Sequence, residues 1–323
     1  MTEKVNWSWI FFINIPVGVL GVIAARLFID ETKDTSKEQR LDLPGLVTSG
    51  AGLFALTFAL IETNDYAWTS TRVLSLFAIA AVALVAFVLL ELRQRLPMLD
   101  LSLFQNPTFA GANAAMLLVG LAMFGIFFYN SLLLQRVLGY SAIETGATFL
   151  PMTVLIILVA PIAGRFSDRI GARWLMGAGM TLLAVSLLLF GTLDANSSFW
   201  NILPGLLVGG VGMAVTMAPT TAAAMGSVPV DKAGVGSAVI NSMRQVGGSL
   251  GIAIMGALVA TSVSVLPTSP LWRDQFVVGY HRAVHLGAAL VLAGAIISVL
   301  TVRQLPRREG AAESVVGALA NEP

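Results

Sequence analysis

The chain alternates between long apolar runs and short polar segments. Nine runs of 18 to 25 residues lie at about residues 10–28, 43–61, 73–90, 110–134, 145–163, 174–193, 202–222, 246–266 and 284–302. Only one charged residue, Arg26, lies inside any of them, and it is close to the end of its run. A helix that crosses a bilayer needs roughly 17–25 apolar residues, whereas a membrane-spanning strand needs ~10 residues of alternating polarity. The pattern therefore predicts nine transmembrane helices and no membrane-spanning barrel.

Composition supports an all-α polytopic membrane protein. Hydrophobic residues make up 56% and charged residues 11% of the 323 residues, compared with ~45–50% and ~25% in soluble domains. A net charge of +1 argues against a nucleic-acid partner, because no basic excess is available to bind phosphates. There is no cysteine. Two histidines, His281 and His285, stand one helical turn apart but have no evident third ligand. We expect no metal and no cofactor.

Basic residues in the loops predict the orientation. Twelve lie on the side formed by loops 30–42, 91–107, 164–173 and 223–237 and the segment from residue 303, and five lie on the other side. We call the first of these the basic side. Because Lys and Arg accumulate in cytoplasmic loops, we expect a multi-pass protein of the plasma (inner) membrane with a cytoplasmic C-terminus.

The segment from Gly164 to Arg173 (GRFSDRIGAR) carries the first informative motif. We expect a tight loop between the fifth and sixth spans, with Gly171 at a turn that needs positive φ. Asp168 should lie at the positive end of the sixth span. A simple positive-inside loop is the alternative interpretation.

This segment resembles the G-x-x-x-D-R-x-G-[RK]-[RK] signature of the major facilitator superfamily. Gly164, Asp168, Arg169, Gly171 and Arg173 match it, and Ala172 departs from it. Two further stretches resemble motifs of the 14-span drug:proton antiporter branch, the EmrB/QacA type. They are WSWIFFINIPVG over 7–18, where Ser8 replaces the usual Arg, and NSMRQVGGSLG over 241–251.

The resemblance implies a fragment of the major facilitator fold. Residues 1–30 would form the last helix of an N-terminal bundle, and 31–107 would form two extra central helices with their loops. Residues 108–303 would close as a C-terminal six-helix bundle, and 304–323 would be a disordered cytoplasmic tail.

Polar and adaptable side chains in the fourth span mark a candidate substrate site. Asn113, Asn130, Tyr129 and Phe124 are proposed to line a cavity, since the resemblance places the first helix of the C-terminal bundle beside the central cavity and amides within a span usually face protein or water. Helix packing and lipid contact are the alternative. Arg244, near the start of the eighth span, is a candidate partner in a cytoplasmic gate or a residue that reaches to the headgroups. Glu62 and Asp65 are expected to face water.

The resemblance implies a secondary transporter that exports small amphipathic drugs or toxic compounds in exchange for protons by alternating access. A membrane-embedded enzyme or a channel-like protein is the alternative, although no span contains the Asp or Glu that an intramembrane active site would use. The same absence leaves the proton carrier unassigned. Nine spans with a cytoplasmic C-terminus also place Met1 outside the cell, so we expect a truncated antiporter that is inactive by itself. The specific substrate and the oligomeric state are not predicted.

Overall fold

A computed structural model describes residues 12, 14–28, 42–63, 65–94, 97, 99–266 and 268–303, and of Asp168 the backbone only. The chain divides into two units, 1–41 and 42–323. Half of the WSWIFFINIPVG motif, residues 7–11 and 13, lies outside the described residues, and the tail expected over 304–323 lies entirely outside them.

The described residues fold into helices joined by short connections. The first unit contributes α1 (Asn14–Phe28). The second contributes α2 (Leu43–Glu62), α3 (Thr71–Arg93), α4 (Pro107–Leu132), α5 (Ala142–Thr148), α6 (Leu150–Ile170), α7 (Ala172–Phe190), α8 (Phe199–Gly226), α9 (Ala233–Ala260) and α10 (Trp272–Thr301). Short 3₁₀ helices over Leu101–Gln105 and Val230–Lys232 precede α4 and α9, and a π-helical turn over Leu133–Val137 extends α4.

These helices confirm the all-α polytopic membrane class. In the described part of the chain, eight helical segments are long and apolar enough to cross a membrane, and each corresponds to one of the predicted spans from the second to the ninth. The described part of the first predicted span is a shorter apolar helix of 15 residues.

Three predicted boundaries are wrong because helices continue past the apolar runs. Helix α9 begins 13 residues before its predicted span, α10 begins 12 residues before its span, and α6 continues to Ile170 through most of the expected loop. A helix of 28–30 residues is about 42–45 Å long, which exceeds the ~30 Å hydrocarbon core. The N-terminal end of α10 can therefore carry Arg273 and Asp274 in the headgroup region while the helical hydrogen bonds continue.

Helix α4 lies at the centre of the second unit. It contacts α8, α9 and α10, and most of its residues are buried. Helices α7 and α8 pack against each other, and α6 and α10 cover them. Helix α6 instead exposes a row of apolar side chains, among them Leu150, Val154, Ile157 and Leu158, as expected for a surface that faces lipid.

Helices α2 and α3 form a hairpin that contacts α9 through α2. Each of these helices ends in a buried carboxyl group that the apolar pattern did not reveal. Glu62 is 9% exposed, its Oε1 accepts a hydrogen bond from Arg72 Nη2 at 2.9 Å, and its Oε2 forms an ion pair with Arg72 Nε at 2.6 Å. The expectation that Glu62 faces water is therefore wrong. Glu91 is 4% exposed, so the membrane helices do contain an acidic residue that is shielded from water.

Candidate functional site

The Gly164–Arg173 segment is a helix–glycine–helix turn and not a loop. Helix α6 runs to Ile170 and α7 starts at Ala172, so Gly171 alone separates them. Its φ of 96° lies in the region that side chains disfavour, which confirms the predicted role of this glycine. The backbone reverses within one residue and brings the two helices into contact.

The other residues of this motif occupy the end of α6 and the start of α7. Asp168 lies in the last turn of α6, four residues before α7 begins, so the expectation of a loop at this position is wrong, and its placement at the positive end of the sixth span stays a prediction. Its side chain lies outside the described residues. Arg169 is exposed, and the Arg173 guanidinium lies 5.2 Å from the centroid of the Trp174 ring, within the range of a cation–π contact. Gly164 has nothing within 4 Å of the place where a Cβ would stand.

The second motif, Asn241–Gly251, builds the crossing of α4 and α9. Gly247 and Gly251 face the backbone of α4 so closely that a Cβ on either would overlap the carbonyl oxygen of Leu117 or Leu121. Gly120 of α4 makes the reciprocal contact with the carbonyl oxygen of Arg244. This is the kind of close contact that small residues one turn apart permit between membrane helices.

Arg244 belongs to the same crossing. Its Nη2 donates to Asn241 Oδ1 at 3.0 Å, so two polar residues of the motif bind each other one turn apart. Its Nε is buried and has no hydrogen-bond acceptor in the part of the chain that the structure describes. An arginine nitrogen in this state is a donor available to a partner that approaches the crossing.

The four candidate cavity residues of α4 divide into a buried group and one exposed residue. Asn113 and Asn130 are 1% and 4% exposed, Tyr129 is 8% exposed, and Phe124 is 43% exposed. Asn113 Nδ2 donates to the Phe109 carbonyl in its own helix at 2.9 Å, and Asn130 Oδ1 accepts a hydrogen bond from the buried Tyr280 hydroxyl of α10. The surroundings of the buried residues favour helix packing, while Phe124 lies on the outer surface and covers Gly248.

The interior between α4, α7 and α8 leaves almost no free space. A cavity of about 10 Å³ is bordered by Asn130, Ser186, Phe190 and Gly209 among others, and Ser186 Oγ donates to the Gly205 carbonyl of α8 at 2.7 Å. This volume is near the lower limit for one water molecule. A drug-sized molecule therefore does not fit this cavity.

A larger cleft opens at the end of α4 and the start of α10. It has a volume of about 720 Å³, and its walls include Arg136, Trp272, Arg273 and Phe276. Ligand sites for drug-sized molecules commonly have volumes of ~300–1,000 Å³. No sequence motif marks this cleft, because its two arginines belong to helical segments that are far apart along the chain.

Long-range polar contacts tie together segments of the basic side. Lys232 Nζ lies 2.5 Å from Asp100 Oδ2, Asn106 Nδ2 donates to the Ser227 carbonyl at 3.2 Å, and the Arg303 N–H donates to Thr108 Oγ1 at 3.1 Å. The hydrogen bond from Lys232 holds the pKa of Asp100 below its usual value. No local motif marks these contacts, because the partners are far apart along the chain.

The two histidines serve helix packing. His281 Nε2 donates to the Leu193 carbonyl at 2.6 Å, and His285 Nδ1 donates to the His281 carbonyl at 2.6 Å. Among the described residues, no group of three or more metal-ligating side chains is present.

The sequence of the chain matches a known protein family. A model of the Major Facilitator Superfamily matches residues 1–252. The chain is 34% identical over 264 residues to Multidrug resistance protein Stp of Mycobacterium tuberculosis, covering 82% of this chain and 49% of that protein. It is 32% identical over 268 residues to the tetracenomycin C resistance and export protein of Streptomyces glaucescens, covering 81% and 49%. The chain thus spans about half the length of these relatives.

Structural comparison agrees at the level of the fold. The crystal structure of a bacterial homologue of the human lysosomal transporter Spinster, inward-facing and occupied, superposes with a TM-score of 0.51 at 16% identity, over 81% of this chain and 66% of that one. The family match also decides against a membrane-embedded enzyme, the alternative that the sequence left open. The match over most of its length shows that this chain belongs to the major facilitator superfamily of membrane transporters.

Proposed function

We propose that the chain is part of an exporter of small amphipathic drugs or toxic compounds that works by alternating access and takes up protons in exchange. The main structural support for this proposal is the α4–α9 crossing. The Asn241–Gly251 motif of the drug:proton antiporter branch supplies both the glycines of this crossing and its one-turn Asn241–Arg244 pair. The names of the two relatives, a multidrug resistance protein and a resistance and export protein, support the substrate class.

The proposed architecture has 14 spans, of which this chain supplies the sixth to the fourteenth. Helix α1 is then the last helix of the N-terminal bundle, and α2 and α3 are the extra central pair. Helices α4 and α6–α10 form the C-terminal bundle within 108–303, with the basic side in the cytoplasm. Five further spans have to act together with these nine, since alternating access requires two bundles that move against each other.

Substrate contacts are proposed on the surface of the bundle and not inside it. The inner cavity of about 10 Å³ excludes a drug, whereas Phe124 and Phe128 expose 43% and 46% of their surface on α4. These aromatic side chains offer an adaptable apolar contact for a ligand held against a second bundle. The cleft beside Arg136 and Arg273 lies at the end away from the basic side, where an exporter in the proposed orientation releases its substrate.

The polar residues of the basic side are proposed to stabilise one end state of the transport cycle. Asp168, Arg169 and Arg173 lie around the Gly171 turn, where charge pairing can change when the bundles move. Arg244 is proposed to contribute to a cytoplasmic gate, because its buried Nε has no hydrogen-bond acceptor among the described residues.

Drug resistance in a bacterium that lacks its own exporters tests this function. Cells carry either residues 1–323 alone or the reading frame with its upstream coding DNA, and the inhibitory concentration of an amphipathic cationic dye is measured beside that of a hydrophilic antibiotic. We expect resistance to the dye only from the longer protein. In that protein, Asp168→Asn should lower resistance at equal membrane abundance, whereas Asp194→Asn in the exposed connection before α8 should leave it unchanged. No resistance from the longer protein would contradict the proposed function, and resistance from residues 1–323 alone would contradict the 14-span architecture.

A further inference from the structure

Two carboxyl groups meet at the basic-side end of the α2–α3 hairpin. Asp42 precedes α2, and Glu91 lies in the last turn of α3. Glu91 Oε1 is 2.9 Å from the point where a Cβ on Gly45 would stand, and Asp42 Oδ2 lies even closer to that point. The glycine therefore leaves the space in which the two carboxyl groups contact each other.

The two groups have different surroundings. Asp42 caps the N-terminus of α2, and its Oδ1 accepts hydrogen bonds from the Gly45 N–H at 2.8 Å and from Gln94 Nε2 at 2.9 Å. A carboxylate at a helix N-terminus is stabilised by the helix dipole and by such donors. These contacts favour the ionised form of Asp42.

Only one of the two carboxyl oxygens of Glu91 accepts a hydrogen bond from a described residue. Its Oε2 accepts from the Leu99 N–H at 3.1 Å, but Oε1 is buried and has no hydrogen-bond donor in the part of the chain that the structure describes. The side chain is 4% exposed, and Asp42 is the charged group that acts on it within the described residues, while Arg93 on the same helix is exposed. A buried carboxylate oxygen beside a second carboxylate is costly unless a donor compensates its charge, and none of the described residues donates to Oε1.

We propose that Asp42 and Glu91 form a proton-binding site. The proton resides on Glu91 Oε1, and the resulting O–H group donates a hydrogen bond to Asp42 Oδ2. The pair then carries one negative charge, and both facing oxygens take part in one hydrogen bond. Carboxyl groups that share a proton in this way do so because two adjacent buried charges are unfavourable.

The site is linked to the contact between the hairpin and the helix cluster. Glu91 holds the N–H of Leu99, and the next residue, Asp100, binds Lys232 immediately before α9. Release of the proton would place two charges beside this connection and weaken the Glu91–Asp42 contact. Occupancy of the site is thereby coupled to a segment that touches both the hairpin and the start of α9.

Infrared spectroscopy of the full 323-residue chain in lipid nanodiscs tests the proposal. At neutral pH we expect the carbonyl band of one protonated carboxyl group in the wild type. The band should be lost in both Glu91→Gln and Asp42→Asn, since either new amide donates the hydrogen bond that the proton had provided and leaves the remaining carboxyl ionised. Asp194→Asn, which removes an exposed carboxylate, should keep the band.

Absence of the band from folded wild-type protein at neutral pH would overturn the proposal, and so would its persistence in both amide variants. Circular dichroism of each variant shows that the helices are retained, because an amide has nearly the volume of a carboxyl group. The measurement reports proton occupancy and involves no transport, so its outcome is independent of whether the chain exports drugs.

Discussion

At the scale of single residues, the basic side is held by a few polar contacts between segments distant in sequence. The Asp100–Lys232 pair joins the connection after α3 to the start of α9. Its side chains are 27% and 36% exposed, so solvent screening keeps its contribution to stability small. The pair fixes the relative position of these two segments more than it stabilises the fold.

The stability that this pair contributes should depend on pH in one direction. Because Lys232 lowers the pKa of Asp100 in the folded chain, the contribution is present above the ordinary carboxyl pKa and is lost as the pH falls through the folded value. We expect Asp100→Asn to lower the thermal unfolding midpoint at neutral pH by a few degrees at most, and to have no effect once the wild-type carboxylate is protonated.

Thermal unfolding of both proteins in detergent across the acidic range measures this difference, with Asp194→Asn as the control for loss of a carboxylate. A difference between wild type and Asp100→Asn that grows as the pH falls would contradict the assigned role of the pair.

At the scale of helices, the α4–α9 crossing is the contact most strictly defined by residue size. Gly120, Gly247 and Gly251 each stand against a carbonyl oxygen of the facing helix. Gly247 and Gly251 stand one turn apart, a spacing of small residues that recurs where membrane helices pack closely. This spacing did not identify α4 as the partner helix, since nothing in one helix specifies the surface that faces it.

Replacing a glycine at the α4–α9 crossing should destabilise the protein more than replacing a glycine that has no close neighbour. Gly251→Ala places a methyl group against the Leu121 carbonyl, and overpacking of this kind costs about 1–3 kcal/mol. Gly234→Ala in the same helix meets nothing within 4 Å and should be neutral or slightly stabilising, because alanine favours helix over glycine by up to about 1 kcal/mol.

The unfolding midpoint and the yield of monodisperse protein in detergent measure both variants. Equal unfolding midpoints for Gly251→Ala and Gly234→Ala would contradict the close packing of α4 and α9 at Gly251.

At the scale of the whole molecule, hydropathy predicted the number and order of the helices from the second span onward, because the bilayer imposes a minimum apolar length. It could not predict how far α6, α9 and α10 extend beyond the apolar core, nor that Glu62 and Glu91 would be buried at helix ends. These properties depend on tertiary partners such as Arg72, Asp42 and Leu99. The glycine of the Gly164–Arg173 motif was predicted correctly, whereas Asp168 lies in a helix where a loop was predicted.

The proposal that this chain is part of a drug:proton antiporter is tested most directly by proton-driven transport in sealed liposomes that contain the longer protein. The measured quantity is the accumulation of an amphipathic fluorescent cation when the liposome interior is made acidic, so that protons leave as the cation enters through molecules with the cytoplasmic side outward. We predict accumulation that collapses when a protonophore removes the gradient. Uptake that is absent, or that is unchanged by the protonophore, would contradict the account of this chain as part of a drug:proton antiporter.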